Sequence, residues 1–345
     1  MEKLPVKNLN ELFRRIAEKQ RLYLPVEQGS QVQFGKWSPE AKIRLDQLKT
    51  VRSAKDLFFP QNENLVGFKM QKKNITIIDE HEKVTPFVLF GVRACDAASF
   101  HILDMVFLAD PVDTFYQERR ENGTVVTLSC GKPEESCFCT AFGIDPAQPG
   151  GDVSAWICGD ALYWNSLTEK GRALTEELKD LFSETDAEDA KTLDQFQAST
   201  RGIMKKLPLS GLHPEALREK PEREIFDSPI WSQLSQSCLG CGTCTFLCPT
   251  CQCFDIRDYD TGHGICRYRC WDSCMYSDFT KMAAANPRTT QLARFRQRFM
   301  HKLVYFPKEH NGTFACVGCG RCVARCPVSM NITKVIKSWG GVNHD

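Results

Sequence analysis

The sequence has no long hydrophobic stretch and no excess of charge of one sign. Its longest apolar runs, such as Phe87–Phe90, are far too short to cross a membrane. The first residues lack the apolar core of a signal peptide, and the formal net charge is +1 over 345 residues. We therefore expect a cytoplasmic protein that binds neither nucleic acid nor a membrane through a broad charged surface.

Several cofactor-binding motifs are missing as well. The sequence has no G-x-G-x-x-G turn between a strand and a helix, no Walker A loop and no C-x-x-C-H haem site. We therefore expect that the chain itself binds neither a flavin nor a nicotinamide. The apolar share of 42% and the charged share of 25% are those of an ordinary globular protein, and the length allows two domains.

Cysteine, in contrast, is abundant, with 18 residues. In a chain of this length without a signal peptide, this number predicts metal binding. Two stretches, 238–249 and 316–327, have the pattern C-x2-C-x2-C-x3-C-P. It is typical of bacterial ferredoxins with two [4Fe–4S] clusters, in which the fourth cysteine of each run binds the other cluster. The expected ligand sets are Cys238, Cys241, Cys244 with Cys326, and Cys316, Cys319, Cys322 with Cys248.

Glycines within both runs support this interpretation. Gly240, Gly242, Gly318 and Gly320 allow the positive φ angles and the free backbone N–H groups that a loop around a cluster needs. Zinc sites and disulfides are the alternatives, since C-x2-C pairs also satisfy zinc. Two complete runs, each closed by a proline, favour clusters and therefore electron transfer.

The N-terminal part offers four more thiols. Residues 86–92 have the continuous apolar pattern of a buried strand, which leads to Cys95 and a helix predicted over 97–108. A second strand predicted over 124–128 ends next to Cys130. Strand ends at one edge of a sheet can converge, so these positions are candidates for a third [4Fe–4S] cluster. Buried reduced cysteines are the alternative. The candidate ligands are Cys95, Cys130, Cys137 and Cys139.

We expect an α+β fold with two domains. Residues 1–230 are predicted to form an α/β domain, and residues 231–345 a mostly helical ferredoxin-like domain with two clusters. The first includes an acidic helical stretch over 166–206, and a strand predicted over 155–163 carries Cys158 as a core residue.

The segment 291–303 has the pattern of a helix with one apolar and one basic face. It either packs over the clusters and offsets their negative charge, or it forms a docking face for an acidic partner. Its basic residues are Arg294, Arg296, Arg298 and Lys302.

Further cysteines lie between the two runs. They form either an additional metal site or a group of thiols in an apolar interior, and either Cys266 or Cys270 is a candidate fourth ligand. The three cysteines concerned are Cys251, Cys253 and Cys274.

These motifs resemble a known family, the iron–sulfur β subunits of cytoplasmic sulfhydrogenases. They are also similar to the iron–sulfur subunits of anaerobic sulfite reductases and of flavin oxidoreductases that work with heterodisulfide-reductase-like complexes. The family shares the four N-terminal thiols and the three thiols between the runs, whereas Cys158, Cys266 and Cys270 match no family cysteine. The matching stretches are 90–96, 129–139, 238–254, 271–274, 294–302 and 316–327.

The resemblance implies an electron-transfer subunit of an oxidoreductase complex in anaerobic metabolism. Such a subunit relays single electrons between a flavin subunit that uses NAD(P)H and a partner with the terminal redox centre. That partner is a NiFe hydrogenase, a sirohaem sulfite reductase or a heterodisulfide-reductase-like protein. An alternative is an enzyme in its own right, in which a cluster with an open iron site carries out the reaction. A zinc-stapled scaffold is a third interpretation.

Overall fold

The computed structural model describes residues 1–71, 74–81 and 83–342. Its strands form two sheets, one in the order β10-β1-β9-β8-β7-β6-β2-β3 and one in the order β11-β12-β4-β5. The strands in this part of the chain are β1 (Glu2–Pro5), β2 (Arg21–Gln28), β3 (Gln31–Lys36), β4 (Asn62–Gln71), β5 (Asn74–Asp79), β6 (Phe87–Val92), β7 (Gly123–Leu128), β8 (Val153–Cys158), β9 (Ala161–Ser166), β10 (Ser183–Glu184), β11 (Phe254–Asp260) and β12 (Ile265–Trp271).

Helices pack against the larger sheet, and several short ones lie in the C-terminal part. They are α1 (Leu9–Lys19), α2 (Ala94–Phe107), α3 (Thr114–Asn122), α4 (Glu169–Glu177), α5 (Ala187–Lys205), α6 (Glu222–Asp227), α7 (Ile230–Ser235), α8 (Thr243–Phe246), α9 (Gln291–Met300), α10 (Phe306–Glu309), α11 (Arg321–Arg325) and α12 (Ile332–Ser338). Among the described helices, none is both long and apolar enough to span a membrane.

The centre of the larger sheet is parallel. Strands β2, β6, β7 and β8 pair in parallel, and every residue of β6 and β7 is buried. Their continuous apolar sequences suit strands that are covered on both faces. Because parallel strands end at the same edge of a sheet, the segments after β6 and β7 leave the sheet side by side. This arrangement brings the region of Cys95 and that of Cys130 together.

Two local predictions were wrong in detail. The helix after β6 begins at Ala94 rather than at residue 97, because Arg93 is the last extended residue, so Cys95 lies in the first helical turn. Residues 155–163 do not form one strand. The chain turns at Gly159, whose φ of 59° suits glycine, and the segment belongs to the antiparallel hairpin β8–β9. The predicted acidic helices are present as α4 and α5, and Cys158 is buried as expected.

The smaller sheet joins distant parts of the chain. The hairpin β11–β12, which lies between the two cysteine runs, pairs antiparallel with β4 near the N-terminus. The C-terminal part is therefore not helical throughout, since it contributes two strands to this sheet. A domain boundary at residue 230 stays a prediction, and the sheet contains strands from both sides of it.

Candidate metal centres

Each cysteine run forms a tight loop that leads into a short helix. Gly242 and Gly320 precede α8 and α11 with φ angles of 73° and 79°, and Gly240 and Gly318 have φ angles of 68° and 58°. L-residues rarely adopt such angles, so the glycines permit the turns. The helices α8 and α11 pack against each other, which brings the two runs together.

The thiol of Cys248 lies among the thiols of the second run. Burial raises the pKa of Cys316 to about 12, and the neighbouring Cys248 adds to this effect against the opposing charge of Lys302. Burial likewise raises the pKa values of Cys319 and Cys322, with Cys248 contributing to both shifts. The fourth cysteine of the first run thus neighbours all three thiols of the second run, as the cross-ligation pattern predicts.

The first run has a partly exposed loop. The Gly240 N–H donates a hydrogen bond of 3.5 Å to the sulfur of Cys238, and Cys244 neighbours Cys238. Cys241 is exposed, and a hydrogen bond with the Thr243 hydroxyl lowers the pKa of its thiol.

The second run ends at Cys326, whose sulfur accepts a hydrogen bond of 3.2 Å from the Met330 N–H. It follows α11, the helix that packs against α8 of the first run. Its assignment to the cluster of the first run stays a prediction.

The four N-terminal thiols line one small buried cavity. Burial raises the pKa of Cys130 to about 11, with the nearby Arg93 opposing the shift. Burial would lower the pKa of the half-buried Lys49, but Cys137 and Glu134 raise it overall. Cys319 of the second run lines the same cavity. The thiols that the cavity brings together are Cys95, Cys130, Cys137, Cys139 and Cys319.

The loop of the N-terminal thiols packs directly on the loop of the second run. The Phe138 N–H donates a hydrogen bond of 3.0 Å to the Gly318 carbonyl. A Cβ atom on Gly318 would lie 2.4 Å from the Phe138 carbonyl oxygen, and one on Gly320 would lie 2.2 Å from that of Ser136. Only glycine therefore allows the two thiol groups to approach so closely.

A buried ion pair fixes this contact. Arg321 follows Gly320 in the second run and donates hydrogen bonds of 2.6 and 2.7 Å to the two carboxylate oxygens of Asp96, next to Cys95. Its Nε also donates to the Thr50 carbonyl at 3.0 Å. Arg321 is 4% exposed and Asp96 is 1% exposed. The pair therefore ties the start of α2 to the start of α11.

Replacing Arg321 by methionine should destabilise the protein by about 3–5 kcal/mol, because Asp96 would remain buried without a partner. Urea unfolding of the full chain under anaerobic conditions, followed by far-UV circular dichroism, measures the effect. The double variant Arg321→Met, Asp96→Leu should recover most of the loss, since no buried charge is left. Equal stability of the single variant and the parent chain would contradict a role for this pair.

Buried cations lie beside the thiols of both runs. Arg298 donates to the Cys244 carbonyl at 3.0 Å, and Lys302 donates to Thr250 and to the Ala315 carbonyl, each at 2.8 Å. Burial would lower both pKa values, but the surrounding thiolates raise them overall. Within residues 1–71, 74–81 and 83–342, neither cation has a carboxylate partner, and the Arg298 Nε has no acceptor. A buried cation requires negative charge nearby, so these residues fit the anionic thiolate-bound [4Fe–4S] clusters.

The remaining basic residues of α9 are also used within the chain. Arg294 donates to the carbonyls of Met275, Arg288 and Thr289. Arg296 donates to the Phe226 carbonyl and covers the Phe226 ring at 3.5 Å. This supports the interpretation that the helix packs over the cluster ligands, rather than the interpretation of a docking face.

The three cysteines between the runs lie close to the thiols of the runs. The pair Cys251 and Cys248 interacts closely enough to raise the pKa of Cys251 and to lower that of Cys248. The pair Cys274 and Cys253 does the same, with the pKa of Cys274 raised and that of Cys253 lowered. Cys274 also neighbours Cys244. Whether these thiols bind metal stays a prediction.

Both candidate fourth ligands lie in the smaller sheet. Cys266 and Cys270 lie on β12, opposite Gly67 and Asn62 of β4. Arg257, Asp255 and Asp272 are charged neighbours of Cys270. Whether either cysteine joins the other three thiols at a metal site stays a prediction.

In the part of the chain that the structure describes, no three His, Cys, Asp or Glu side chains lie close enough to bind a single metal ion. A zinc site needs its thiolates within about 4 Å of one another, since each Zn–S bond is about 2.3 Å long. A four-iron cluster holds its thiolates further apart.

Several residues around the thiols were not predicted from the sequence. Thr250 lies 3.2 Å from the Cys248 sulfur, and Lys55 donates to the Cys251 carbonyl at 2.8 Å. The contact of Cys319 with the N-terminal thiols was also missed. One feature of the sequence could have indicated this contact. Arg321, a bulky charged residue, directly follows Gly320 at the position where the helix after the cysteine loop begins.

The fold and the thiol groups define an iron–sulfur protein. Residues 237–330 match the family described as "4Fe-4S dicluster domain". The chain is 34% identical over 328 residues to "Sulfhydrogenase 2 subunit beta" of Pyrococcus furiosus, and the alignment covers 94% of each chain. No solved structure matches the chain.

The chain therefore belongs to the iron–sulfur β-subunit family of sulfhydrogenases, which confirms the resemblance. It is an iron–sulfur electron-transfer subunit that carries [4Fe–4S] clusters.

Proposed function

We propose that this chain carries three [4Fe–4S] clusters and relays electrons between two partner subunits. The proposed ligand sets are Cys95, Cys130, Cys137 and Cys139 for the N-terminal cluster, Cys248, Cys316, Cys319 and Cys322 for the middle cluster, and Cys238, Cys241, Cys244 and Cys326 for the last. A [4Fe–4S] cluster supplies reversible one-electron redox chemistry. The residues of the chain provide its thiolates, exclude water and fix the distances between the sets.

The observation that carries this proposal is the position of Cys319. It is a proposed ligand from the second run and also lines the cavity of the four N-terminal thiols. Cys248 in turn belongs to the first run and neighbours the thiols of the second. Each set of thiols therefore lies close to another set. Along the proposed electron path, the N-terminal set is followed by the second-run set and then by the first-run set.

The proposed partners follow from the family. The relative in Pyrococcus furiosus is named as a β subunit of a sulfhydrogenase, so we propose that this chain also functions within a multisubunit complex. One partner would be a flavin subunit that uses NAD(P)H. The other would hold the terminal redox centre, which we propose to be a NiFe hydrogenase, a sirohaem sulfite reductase or a heterodisulfide-reductase-like protein. The genes adjacent to the one for this chain would distinguish these three.

An open cleft near the N-terminal thiols is a suitable place for a partner to approach. The cleft has a volume of about 660 Å³, and the loop directly after Cys139 forms one wall. Pro146 and Met204 line both this cleft and the thiol cavity. A redox group of a partner in the cleft would therefore be separated from the N-terminal cluster by little more than these two side chains.

The number of clusters is directly testable. Anaerobically reconstituted full-length protein should contain about twelve iron and about twelve sulfide, that is four of each per cluster. A value near eight would remove the N-terminal cluster from the proposal. A value near sixteen would add a cluster at Cys251, Cys253 and Cys274.

A second measurement separates electron transfer from catalysis. The isolated chain should be reduced by dithionite but should not turn over sulfite, a disulfide or protons. Turnover of any of these by the isolated chain would instead support an enzyme with an open iron site.

A further inference from the structure

A π-helical turn carries a lysine into the protein interior. The turn covers His301–Tyr305, between α9 and α10, and Lys302 within it is only 4% exposed. Such turns insert one extra residue into a helix and occur frequently at functional sites. Burial of an ammonium group is costly unless negative charge lies nearby. The position of Lys302 therefore requires an explanation beyond packing.

The hydrogen bonds of Lys302 connect the two cysteine runs. Its Nζ donates to the Thr250 Oγ1 and to the Ala315 carbonyl, each at 2.8 Å. Thr250 lies two residues after Cys248, and its Oγ1 is 3.2 Å from the Cys248 sulfur. Ala315 directly precedes Cys316. One ammonium group thus binds the chain just after the last cysteine of the first run and just before the first cysteine of the second.

Thr250 can pass this interaction on to the thiolate. Its hydroxyl has one proton to donate, and the Ala315 carbonyl and the Cys248 sulfur are its two acceptors. Because Lys302 also donates to Ala315, that carbonyl stays satisfied when the hydroxyl turns to the sulfur. Hydrogen bonds to a ligand sulfur and nearby positive charge both favour the more negative, reduced state of a cluster.

We propose that Lys302, acting through Thr250, positions Cys248 beside the second run and raises the redox potential of the cluster that Cys248, Cys316, Cys319 and Cys322 bind. This inference rests on the proposed function. Lys302 is a positioning residue, since it reaches the ligand sulfur through another side chain. Reduction of this cluster by one electron adds one negative charge, and the buried cation at Lys302 stabilises that charge.

The test is the variant Lys302→Met, which removes the charge and keeps a long unbranched side chain. In a redox titration of the full chain followed by electron paramagnetic resonance, the potential of this cluster should fall. We expect the ratio of reduced to oxidised cluster at a fixed potential to decrease about tenfold, which corresponds to about 59 mV for a one-electron couple. The iron and sulfide contents report whether the cluster is still present.

Three further variants make the result interpretable. Lys302→Arg keeps the charge and should leave the potential close to that of the parent chain. Lys308→Met removes an exposed lysine that pairs with Glu222 and should have no effect. Thr250→Val keeps the shape and the lysine charge but removes the hydroxyl, so it should lower the potential less than Lys302→Met does.

Two outcomes would overturn the proposal. One is an unchanged potential in Lys302→Met with full iron content, which would reduce the lysine to a packing role. If Lys302→Met does not fold, Lys302→Gln, which is neutral but still donates hydrogen bonds, replaces it in the test. The other outcome is then an unchanged potential in Lys302→Gln. A failure of the proposed function would be distinct, because the parent chain itself would then lack the cluster signals.

Discussion

Replacing Cys139 by alanine should stop electron flow through the assembled complex. Cys139 is 5% exposed and neighbours Cys130, Cys137 and Cys319. Loss of one thiolate should remove the N-terminal cluster, and electron tunnelling decreases exponentially with distance. The remaining gap should reduce NAD(P)H-driven turnover to a few per cent of the parent rate or less. The measurement is turnover of the complex with NAD(P)H as electron donor.

The middle and last clusters should survive this substitution. Dithionite is a small reductant that reaches exposed clusters directly, so it should still reduce them in the variant. The iron content should fall from about twelve to about eight, since one four-iron cluster is lost. The combination of retained dithionite reduction and lost complex turnover distinguishes a missing relay from a misfolded chain.

Cys158→Ala provides the matched control. Cys158 is also a buried cysteine of the N-terminal part, but it packs in a separate apolar cluster with Trp156, Tyr163 and Leu193. It should therefore retain both the iron content and the turnover. If turnover persisted in a Cys139→Ala complex shown to contain only eight iron, the N-terminal cluster would lie off the electron path.

The sequence is sufficient to predict cluster ligands within a run, because their spacing is local. Within a C-x2-C-x2-C-x3-C run, the loop and the short helix after it determine where the thiols point, and glycines at the turns carry the required positive φ angles. The strands before Cys95 and Cys130 were also predicted from the sequence, because their continuous apolar patterns indicate a buried parallel sheet. Strands that end at one edge bring distant cysteines together.

The relation between the two thiol regions was not visible in the sequence. It depends on an ion pair between Arg321 and Asp96, which are 225 positions apart, and on a backbone contact at Gly318. Nor does any local pattern indicate that β11–β12 pairs with β4 across the length of the chain. Such contacts are selected by packing and charge in the folded protein rather than by local propensity.

The basic segment 291–303 also shows that local sequence patterns do not predict the position of every side chain. Its helical periodicity predicts which residues share a face, and α9 does form with Phe295 and Phe299 buried. The π-helical turn after Met300 changes that periodicity. It is this turn that brings Lys302 to Thr250 and Ala315, a position that regular helical spacing does not predict.

Replacing Cys248 by alanine should remove the cluster of the second run, although Cys248 belongs to the first. Its thiol neighbours those of Cys316, Cys319 and Cys322, and the fourth cysteine of such a run is a ligand of the other cluster. Conversely, Cys326→Ala should remove the cluster of the first run. Each variant should lose about four of about twelve iron atoms, so the iron content alone cannot tell the two apart.

Spectra of two reference variants make the assignment. Cys322→Ala removes the second-run cluster and Cys241→Ala the first-run cluster, because each cysteine lies inside its own run. The electron paramagnetic resonance spectrum of reduced Cys248→Ala should match that of Cys322→Ala, and the spectrum of Cys326→Ala should match that of Cys241→Ala. Cys270→Ala changes a cysteine of β12 outside both runs and should leave the spectrum of the parent chain unchanged. The reverse pairing of the spectra would show that each run binds its own cluster. The 67 residues that separate Cys248 from Cys316 would then have uncoupled the two runs, and Lys302 would connect two clusters rather than the ligands of one.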